Sequence, residues 1–543
     1  MSSITVYKAK KVITMDPACP AADHIAVKDG KILAVGTEKE ISAWGDHDLD
    51  ETFKDLVIMP GMIEGHCHLM AGAIWQFTYV GYQDRIDPDG KFWPGVKSID
   101  DVLDRLKKAE EKLGPDEPLV AWGFDPIFLM ARRMDKSDLD QVSTTRPIAV
   151  IHSNFHLMTV NSASLKLANY VADMGIDGIA LGEDGTPNGE LQEMAAMFPI
   201  MRRLNINLRE LGRASKSLLA FGQVCNRAGV TTAADLLNDL PDEDVEEMTE
   251  ITSREDYPLR LHSMLNALSQ TATEIRDRAL ILRQKSTDKL VLGGVKIVTD
   301  GSIQGFTARI RWPGHFNGNP NGIWNIAPGQ LHELVDVLNQ AGVQMHIHTN
   351  GDEAIEVALD ALEAARIKSN RPDVQHVLQH CQMADRAHFR KMKRLNVHAN
   401  LFSNHIYYFG DKHLEITIGP DRARRMDACR SAADMGVTYA IHSDAPVTPM
   451  APLFTAWCAV NRQTESGRTL GEYEKISVGE ALYAITMGAA QTLQVDDRVG
   501  SIEIGKWADF SILEDDPESV DPMKLKDIPI WGTVVAGRKF KIQ

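Results

Sequence analysis

Cysteine is scarce in this chain. The six cysteines are widely scattered and form no Cys-x-x-Cys pair; they are Cys19, Cys67, Cys225, Cys381, Cys429 and Cys458. A small secreted domain that depends on disulfides concentrates its cysteines in a dense framework, so this spacing argues against that class of protein. The pattern predicts reduced thiols in a cytoplasmic protein.

Long apolar runs and excess positive charge are also missing. No apolar stretch of about 18 residues occurs, so no membrane span is expected. Residues 1–8 lack the apolar region of a secretory signal. The formal net charge of −17 argues against nucleic acids and anionic membrane surfaces as partners. What remains is the composition of an ordinary globular protein, with 44% hydrophobic and 24% charged residues.

Strand-like sequence occurs at both ends of the chain. Residues 24–27 and 31–35 are separated by Asp29-Gly30, a pair typical of a hairpin turn. Residues 509–513 have the same strand-like character. We therefore predict one small β-sandwich that is built from both termini, residues 1–57 and 496–543.

The middle region, residues 58–495, alternates strand-like and helix-like segments, which is typical of a parallel sheet. One helix is predicted near 328–341, where Pro328 begins it and Gly342 ends it, and a second is predicted near 352–368. This alternation predicts an α/β protein with a (β/α)8 barrel.

The stretch of about residues 70–290 is too long for the second and third barrel strands alone. It predicts an inserted, mainly helical subdomain near the barrel mouth. Such an insertion would shape substrate choice.

His66-Cys67-His68 is the most informative short segment. Side chains alternate between the two faces of a strand, so both imidazoles point to the same side. Two neutral imidazoles on one face are a natural beginning for a zinc-type site. The alternative is that these are core histidines without a metal.

Four further polar residues lie in, or at the carboxyl end of, short apolar runs. These residues are Lys296, His348, His380 and Asp444. In a (β/α)8 barrel the carboxyl ends of the strands form the active-site face. Together with the two histidines they make a set of ligands for two metal ions.

The order of these motifs resembles the amidohydrolase superfamily, specifically the amidohydrolase-3 group that includes YtcJ-like proteins and N-substituted formamide deformylases. The similarity covers nearly the whole chain, and each single motif is of modest specificity. The matching segments are residues 60–68, 295–301, 346–352, 379–382, 443–446 and 500–510.

The resemblance implies a ligand set for two divalent metal ions, zinc first, with manganese, iron or cobalt as alternatives. His66 and His68 would bind the more buried ion. A carbamylated Lys296 would bridge both ions, and His348 and His380 would bind the second.

Asp444 would be a ligand and also the general base for a metal-activated hydroxide. Alternatives remain open at this stage. Lys296 could form an ion pair with Asp444, and Asp444 could be a turn or helix-capping residue. His346 and His442 share strand faces with the proposed ligands, and His442 could support the ligands from outside.

Substrate contacts are implied by the same resemblance. Trp122 would form a wall of the pocket, and His156 would polarise the scissile carbonyl. The aromatic run 405–411 follows the seventh strand, so Tyr407 could bind an apolar substrate group from a loop. The chain departs from the family pattern at residues 304–307, where a customary arginine is absent, which leaves the substrate class open.

We therefore predict a metal-dependent hydrolase of a carbon–nitrogen bond, of amide type but not a peptide bond, in a small molecule. One alternative is a mononuclear deaminase of the same superfamily, although Lys296 argues against it. Another is a non-catalytic relative with an assembly or regulatory role. A homodimer or larger homo-oligomer is expected from the frequency of such assemblies among enzymes.

Overall fold

A computed structural model describes residues 4–129, 132–171, 174–207, 214–268 and 270–542. Within these residues, eight parallel strands form a nearly closed barrel. In chain order they are β1 (Met62–Cys67), β2 (Val230–Asn238), β3 (Arg260–Asn266), β4 (Val295–Val298), β5 (Met345–Thr349), β6 (Val377–His380), β7 (His398–Leu401) and β8 (Tyr439–Ile441). Backbone hydrogen bonds link the end of β1 to the segment after β8: His68 N donates to Ala445 O at 2.8 Å, and Asp444 N donates to His66 O at 3.2 Å.

Helices lie between the barrel strands and cover their outer side. The two predicted helices are confirmed, at Pro328–Gln340 and Asp352–Lys368. The other principal helices of the barrel region are Ser215–Arg227, Asp242–Ser253, Ala272–Gln284, Arg386–Leu395, Asn404–Lys412, Gly419–Arg425, Cys429–Asp434, Pro452–Asn461, Val478–Ala484 and Met487–Thr492. Their apolar faces and the outward side chains of the strands form the largest hydrophobic cluster of the described residues.

Both ends of the chain contribute to one sheet, as predicted. In the described part of the chain it has seven strands, which are Thr5–Ile13, Ala21–Lys28, Lys31–Gly36, Asp48–Pro60, Phe510–Leu513, Ile530–Val535 and Arg538–Lys541. The strand Asp48–Pro60 pairs with Thr5–Ile13 on one side and with Phe510–Leu513 on the other. It therefore joins the amino-terminal strands to the carboxyl-terminal ones, immediately before β1.

The insertion between β1 and β2 is mixed rather than mainly helical. Its sheet, as far as the structure describes it, consists of Thr78–Tyr79, Leu119–Phe124, Ile148–His152, Leu157–Val160, Ile179–Leu181 and Pro187–Gln192. Its helices are Ile99–Glu110, Lys136–Asp140, Ser162–Leu167 and Glu193–Arg203. Three of these strands, Leu119–Phe124, Ile148–His152 and Leu157–Val160, are short, largely apolar runs buried on both faces. Such runs lack the alternation that would distinguish them from helix segments in a sequence.

The carboxyl ends of the barrel strands open toward the insertion. The connection after β4, residues 299–327, contains no helix or strand and reaches the insertion. There Asn154 Nδ2 donates to Ser302 Oγ at 3.0 Å. Within the described residues, none of the helices combines the length and apolarity that crossing a membrane requires.

Candidate metal centre and active site

His66, His68 and Asp444 meet at the barrel mouth. The Nε2 atoms of His66 and His68 lie 3.3 and 3.2 Å from Asp444 Oδ1. One ligand atom from each residue lies within 4.8 Å of the others. Burial raises the pKa of Asp444, but a hydrogen bond from His68 and the charges of its neighbours outweigh burial and hold that pKa below its usual value. Two imidazole nitrogens and an ionised carboxylate are a suitable donor set for a zinc-type ion.

A buried amide network fixes the orientation of His66. His66 Nδ1 lies 2.8 Å from Gln379 Oε1, which also accepts from Asn400 Nδ2 at 2.9 Å. An amide oxygen only accepts hydrogen bonds, so Nδ1 of His66 must carry the proton. The lone pair is therefore on Nε2, the atom that faces Asp444, and this is the arrangement that orients a metal-binding histidine.

His380 and His442 form a second close group with His66. His380 Nδ1 lies 3.1 Å from His442 Nε2, and the ligand atoms of all three lie within 4.8 Å of one another. His442 Nδ1 is in turn 3.1 Å from Asn400 Oδ1. His442 therefore connects the amide network to His380, which agrees with a supporting role.

The backbone is strained where two of these side chains enter the site. His380 and Asp444 have φ angles of 69° and 53°, a left-handed conformation that residues other than glycine rarely adopt. Such conformations persist where the surrounding structure enforces them, and they cluster at active sites. The strain here coincides with two proposed metal ligands.

Lys296 projects from β4 into the same space. Its Nζ lies 3.4 Å from His66 Nε2, and the residue is 2% exposed. Burial lowers the pKa of Lys296 to about 7, although attraction to Asp444 opposes the change. Among the described residues no carboxylate lies within ion-pair distance of this amine, so the alternative ion pair with Asp444 is not formed.

His348 stands slightly apart from the other ligands. Its ring centroid is 4.5 Å from that of His380, but it belongs to neither group whose ligand atoms lie within 4.8 Å of one another. His348 Nε2 instead lies 3.6 Å from Asp300 Oδ1 and 3.3 Å from Gly301 O. The structure therefore brings His66, His68, Lys296, His380 and Asp444 together, and a second metal held by His348 stays a prediction.

His156 reaches the mouth from the insertion, paired with Glu193. His156 Nδ1 lies 2.8 Å from Glu193 Oε2, which also accepts from Asn325 Nδ2 at 3.0 Å. Burial lowers the pKa of His156, but attraction to Glu193 outweighs burial and raises it. The His156 ring centroid lies 5.3 Å from that of His348. Because Glu193 occupies Nδ1, His156 is left with Nε2 for a substrate.

A small, partly open cavity lies beside these groups. Its wall includes His156, His348, His380 and Asp444. The rest of the wall is mostly uncharged and polar, with Phe402 and Val447 as its apolar residues; these polar residues are Asn154, Ser302, Gln304, Asn350, Gln382 and His405. The cavity therefore presents hydrogen-bonding side chains next to the candidate metal ligands.

Trp122 and Tyr407 do not line this cavity. Trp122 is 1% exposed and packs against Trp75 and Tyr79 inside the insertion, with centroid distances of 5.0 and 4.9 Å. Tyr407 lies on the helix Asn404–Lys412, not on a loop, and packs against Phe454 at 5.1 Å. Direct substrate contacts by these two residues stay predictions.

Sequence reasoning missed Gln379, Asn400 and Glu193. Gln379 and Asn400 lie on β6 and β7, and a polar residue inside an apolar strand was the available signal for them. Glu193 follows a glycine-rich segment whose sequence does not indicate the end of a strand. Its φ of 62° results from the tertiary structure. No local signal marks Glu193 as a partner of His156.

Comparison with known proteins agrees with this arrangement. A family model described as the amidohydrolase family matches residues 54–539. The chain is 26% identical over 539 residues to the putative amidohydrolase YtcJ of Bacillus subtilis (strain 168), with 97% of each protein covered. It is 25% identical over 540 residues to N-substituted formamide deformylase of Arthrobacter pascens, which covers 97% of this chain and 96% of that protein.

One solved structure has the same fold over nearly the whole chain. It is an uncharacterized metal-dependent hydrolase from Pyrococcus horikoshii OT3, with a TM-score of 0.73 at 18% identity. The match covers 96% of this chain and 99% of that one.

Proposed function

This chain belongs to the amidohydrolase family, and on that premise we propose that it is a metal-dependent hydrolase of a carbon–nitrogen bond in a small amide-type molecule that is not a peptide. One observation carries the proposal. His66, His68 and Asp444 gather at the barrel mouth beside a polar cavity. A relative over nearly the full length is named for the deformylation of N-substituted formamides, which makes these compounds the first substrates to try.

The residues of the mouth fit a metal ion. His66, His68 and Asp444 would hold the first ion, and His348 and His380 would hold a second. A bound divalent metal supplies Lewis acidity that polarises a carbonyl and lowers the pKa of water. Zinc suits this donor set, and the same donors accept manganese, iron or cobalt.

Lys296 is proposed to bridge the two metal positions as a carbamate. A buried ammonium without a carboxylate partner is costly, and carbamylation would replace that positive charge with two oxygen ligands. The position of Lys296, 3.4 Å from His66 Nε2, supports this assignment. Bicarbonate in the medium supplies the carbon dioxide that the modification requires.

Asp444 and His156 are the proposed proton-handling groups. Asp444 would accept a proton from the attacking water and pass it to the leaving nitrogen. His156, whose pKa is raised by Glu193, would donate a hydrogen bond to the carbonyl oxygen of the substrate, where negative charge develops. The cavity places both side chains against the same small volume.

The metal content of the protein is the first test. The chain would be expressed with zinc or manganese and with bicarbonate, and metal per chain would be measured by elemental mass spectrometry. The loaded protein would then be assayed on N-substituted formamides, other amides, carbamates and cyclic imides, with Asp444→Asn as the inactive control. We expect about two metals per chain and release of an amine from at least one class.

The other outcomes favour the alternatives. About one metal per chain, with ammonia released from an aminated heterocycle, would support a mononuclear deaminase. No bound metal and no turnover after loading would support a non-catalytic assembly or regulatory protein. Assembly as a homodimer or larger homo-oligomer, and a cytoplasmic location, stay predictions.

A further inference from the structure

Three carboxamide side chains on the cavity wall hold polar atoms without a protein partner. Oε1 of Gln304, Oδ1 of Asn350 and Nε2 of Gln382 are buried and accept or donate no hydrogen bond within the described residues. All three residues line the cavity beside the candidate metal ligands. The three side chains together are called the carboxamide wall below.

Such atoms are uncommon in folded proteins. A buried donor or acceptor without a partner costs free energy, so most are paired in native structures. Gln344 shows the usual case in this chain, because its Nε2 donates to Gln375 O and Thr492 O, both at 2.9 Å. Other buried polar atoms of the described residues also lack partners, but the three atoms of the carboxamide wall belong to side chains that line one cavity, where a substrate would supply the missing partners.

The charges of the side chains on the cavity wall limit which substrate groups the wall can bind. Among the residues that line it, none is arginine or lysine. Apart from the candidate metal ligands, the titratable side chains on the wall are His156, which is already paired with Glu193, and His405, whose pKa is lowered by burial. A substrate carboxylate or phosphate would therefore find no unpaired cation there. The unpaired atoms include acceptors on Gln304 and Asn350 and a donor on Gln382, which match a group that both donates N–H bonds and accepts one.

We propose that the carboxamide wall binds an uncharged amide or ureido group of the substrate, separate from the bond that is broken. An N–H of that group donates to Gln304 Oε1, and its carbonyl oxygen accepts from Gln382 Nε2. This assignment rests on the proposed hydrolysis of a carbon–nitrogen bond at the neighbouring metal ligands. The preferred substrate is thus a small molecule with a second, intact amide.

Gln304 is the residue on which the test turns. The substrates are four N-alkyl formamides of equal length that end in a carboxamide, a carboxylate, an isopropyl group or a diol. For the wild-type protein we expect kcat/KM to be about 10- to 100-fold higher for the carboxamide than for the isopropyl compound. Gln304→Met should remove most of that preference, measured as the ratio of kcat/KM for the carboxamide to kcat/KM for the isopropyl compound.

Matched variants separate recognition from folding. Gln344→Met removes another buried glutamine, whose hydrogen bonds lie outside the cavity, so it should keep the preference of the wild type. Gln304→Leu likewise removes the acceptor, and it replaces Gln304→Met if that variant does not fold. Equal losses on all four substrates in the Gln304 variant, or a wild-type preference for the carboxylate or the diol, would overturn the proposal.

A binding measurement distinguishes failure of this proposal from failure of the hydrolase assignment. Saturation-transfer NMR would compare propionamide with propionate and 1,2-propanediol on the wild-type protein and on the Gln304 variant. Binding of propionamide that depends on Gln304, without turnover of any formamide, would support the carboxamide wall and refute the hydrolase. Turnover with no dependence on Gln304 in either measurement would refute the carboxamide wall alone.

Discussion

The two ends of the barrel differ in whether a buried cationic side chain has a carboxylate partner. At the mouth, Lys296 has no carboxylate within ion-pair distance among the described residues, and several buried polar atoms lack partners. At the opposite end, Arg260 at the start of β3 is paired with a carboxylate. Its Nε and Nη2 donate to the carboxylate of Asp509 at 2.5 and 3.2 Å, and its Nη1 donates to Asp288 O at 2.9 Å.

Arg260 also stacks on Trp507, with its guanidinium carbon 4.3 Å from the ring centroid. Asp509 and Trp507 immediately precede the strand Phe510–Leu513, so this contact fastens the terminal sheet to the barrel. In (β/α)8 barrels the mouth carries function and the opposite end carries stability. The mouth therefore contains the groups proposed for catalysis, whereas the polar groups at the opposite end stabilise the fold.

Removing ligands at the mouth should have the largest effect on activity. His66→Ala should lose both metal and turnover. Asp444→Asn should keep much of the metal but lose turnover by about 10²- to 10⁴-fold, because the amide cannot accept the proton. Elemental analysis and amine release measure the two effects.

His376→Gln is the control, since His376 is also buried but lies close to Asn339, with its Nε2 3.1 Å from Asn339 Oδ1. Retained activity in Asp444→Asn would rule out the general-base role.

Breaking the pair at the opposite end should affect stability instead. Arg260→Met leaves the Asp509 carboxylate buried without its partner, which should lower the free energy of unfolding by about 3–5 kcal/mol. Turnover per folded, metal-loaded molecule should stay near that of the wild type. Denaturant melts and activity measurements below the transition check both expectations. A variant of normal stability and low activity would remove the functional distinction between the two ends.

Glu193→Gln tests whether the insertion acts on the mouth through His156. A glutamine keeps the size and a hydrogen bond, but it cannot offset a positive charge on His156, so kcat should fall roughly tenfold at unchanged metal content. Steady-state kinetics and elemental analysis provide the measurement. Glu474→Gln is the control, because this buried carboxylate accepts from Ser431 N at 2.8 Å and does not line the cavity. Equal effects of the two variants would show a merely structural role for Glu193.

The smallest expected effect concerns Asp125, a buried carboxyl group in the insertion. Burial raises its pKa to about 6, although Ile127 N and Ser153 Oγ donate hydrogen bonds to it. As the pH rises from about 4 to about 6, the unfolded chain loses this proton while the folded chain retains it. The free energy of unfolding should therefore fall by about 1–3 kcal/mol over that rise in pH. Above about pH 6 this contribution is constant.

Asp125→Asn cannot ionise and should lack this fall. The melting temperature of the variant relative to the wild type should therefore rise by a few degrees between pH 4 and pH 7, as measured by differential scanning fluorimetry. A difference that is the same at every pH would show that the carboxyl group ionises without penalty.

The sequence was sufficient for the parts of the molecule that follow local rules. The helix Pro328–Gln340 begins at a proline and ends before Gly342, and the motif order placed His66, His68 and Asp444 at neighbouring strand ends. Their roles in catalysis stay predictions, but the structure brings them together. The segment 405–411, expected as a loop, is helical, because its apolar residues pack against Phe454 and Trp457.

Contacts that arise only from tertiary structure could not be predicted. The His156–Glu193 pair depends on how the insertion folds over the loop 299–327, where Asn325 supports the carboxylate. The unpaired atoms of the carboxamide wall depend on side-chain positions in a cavity, and no periodicity in a sequence reports these. The sheet in the insertion was also missed, because short runs buried on both faces look alike whether they form strands or helix segments.

The pairing of Asp48–Pro60 with Phe510–Leu513 has a consequence for biosynthesis. Met62 N donates to Ser511 Oγ across a sequence separation of 449 residues. Residues 510–513 must therefore leave the ribosome before the strand Asp48–Pro60 can pair with them. The hydrogen bond of Met62, at the start of β1, also forms only then. Contacts between residues that are far apart in the sequence slow folding, and a strand edge favours aggregation as long as it is unpaired. The nascent chain should consequently expose the unpaired edge of Asp48–Pro60 until residues 510–513 have been translated.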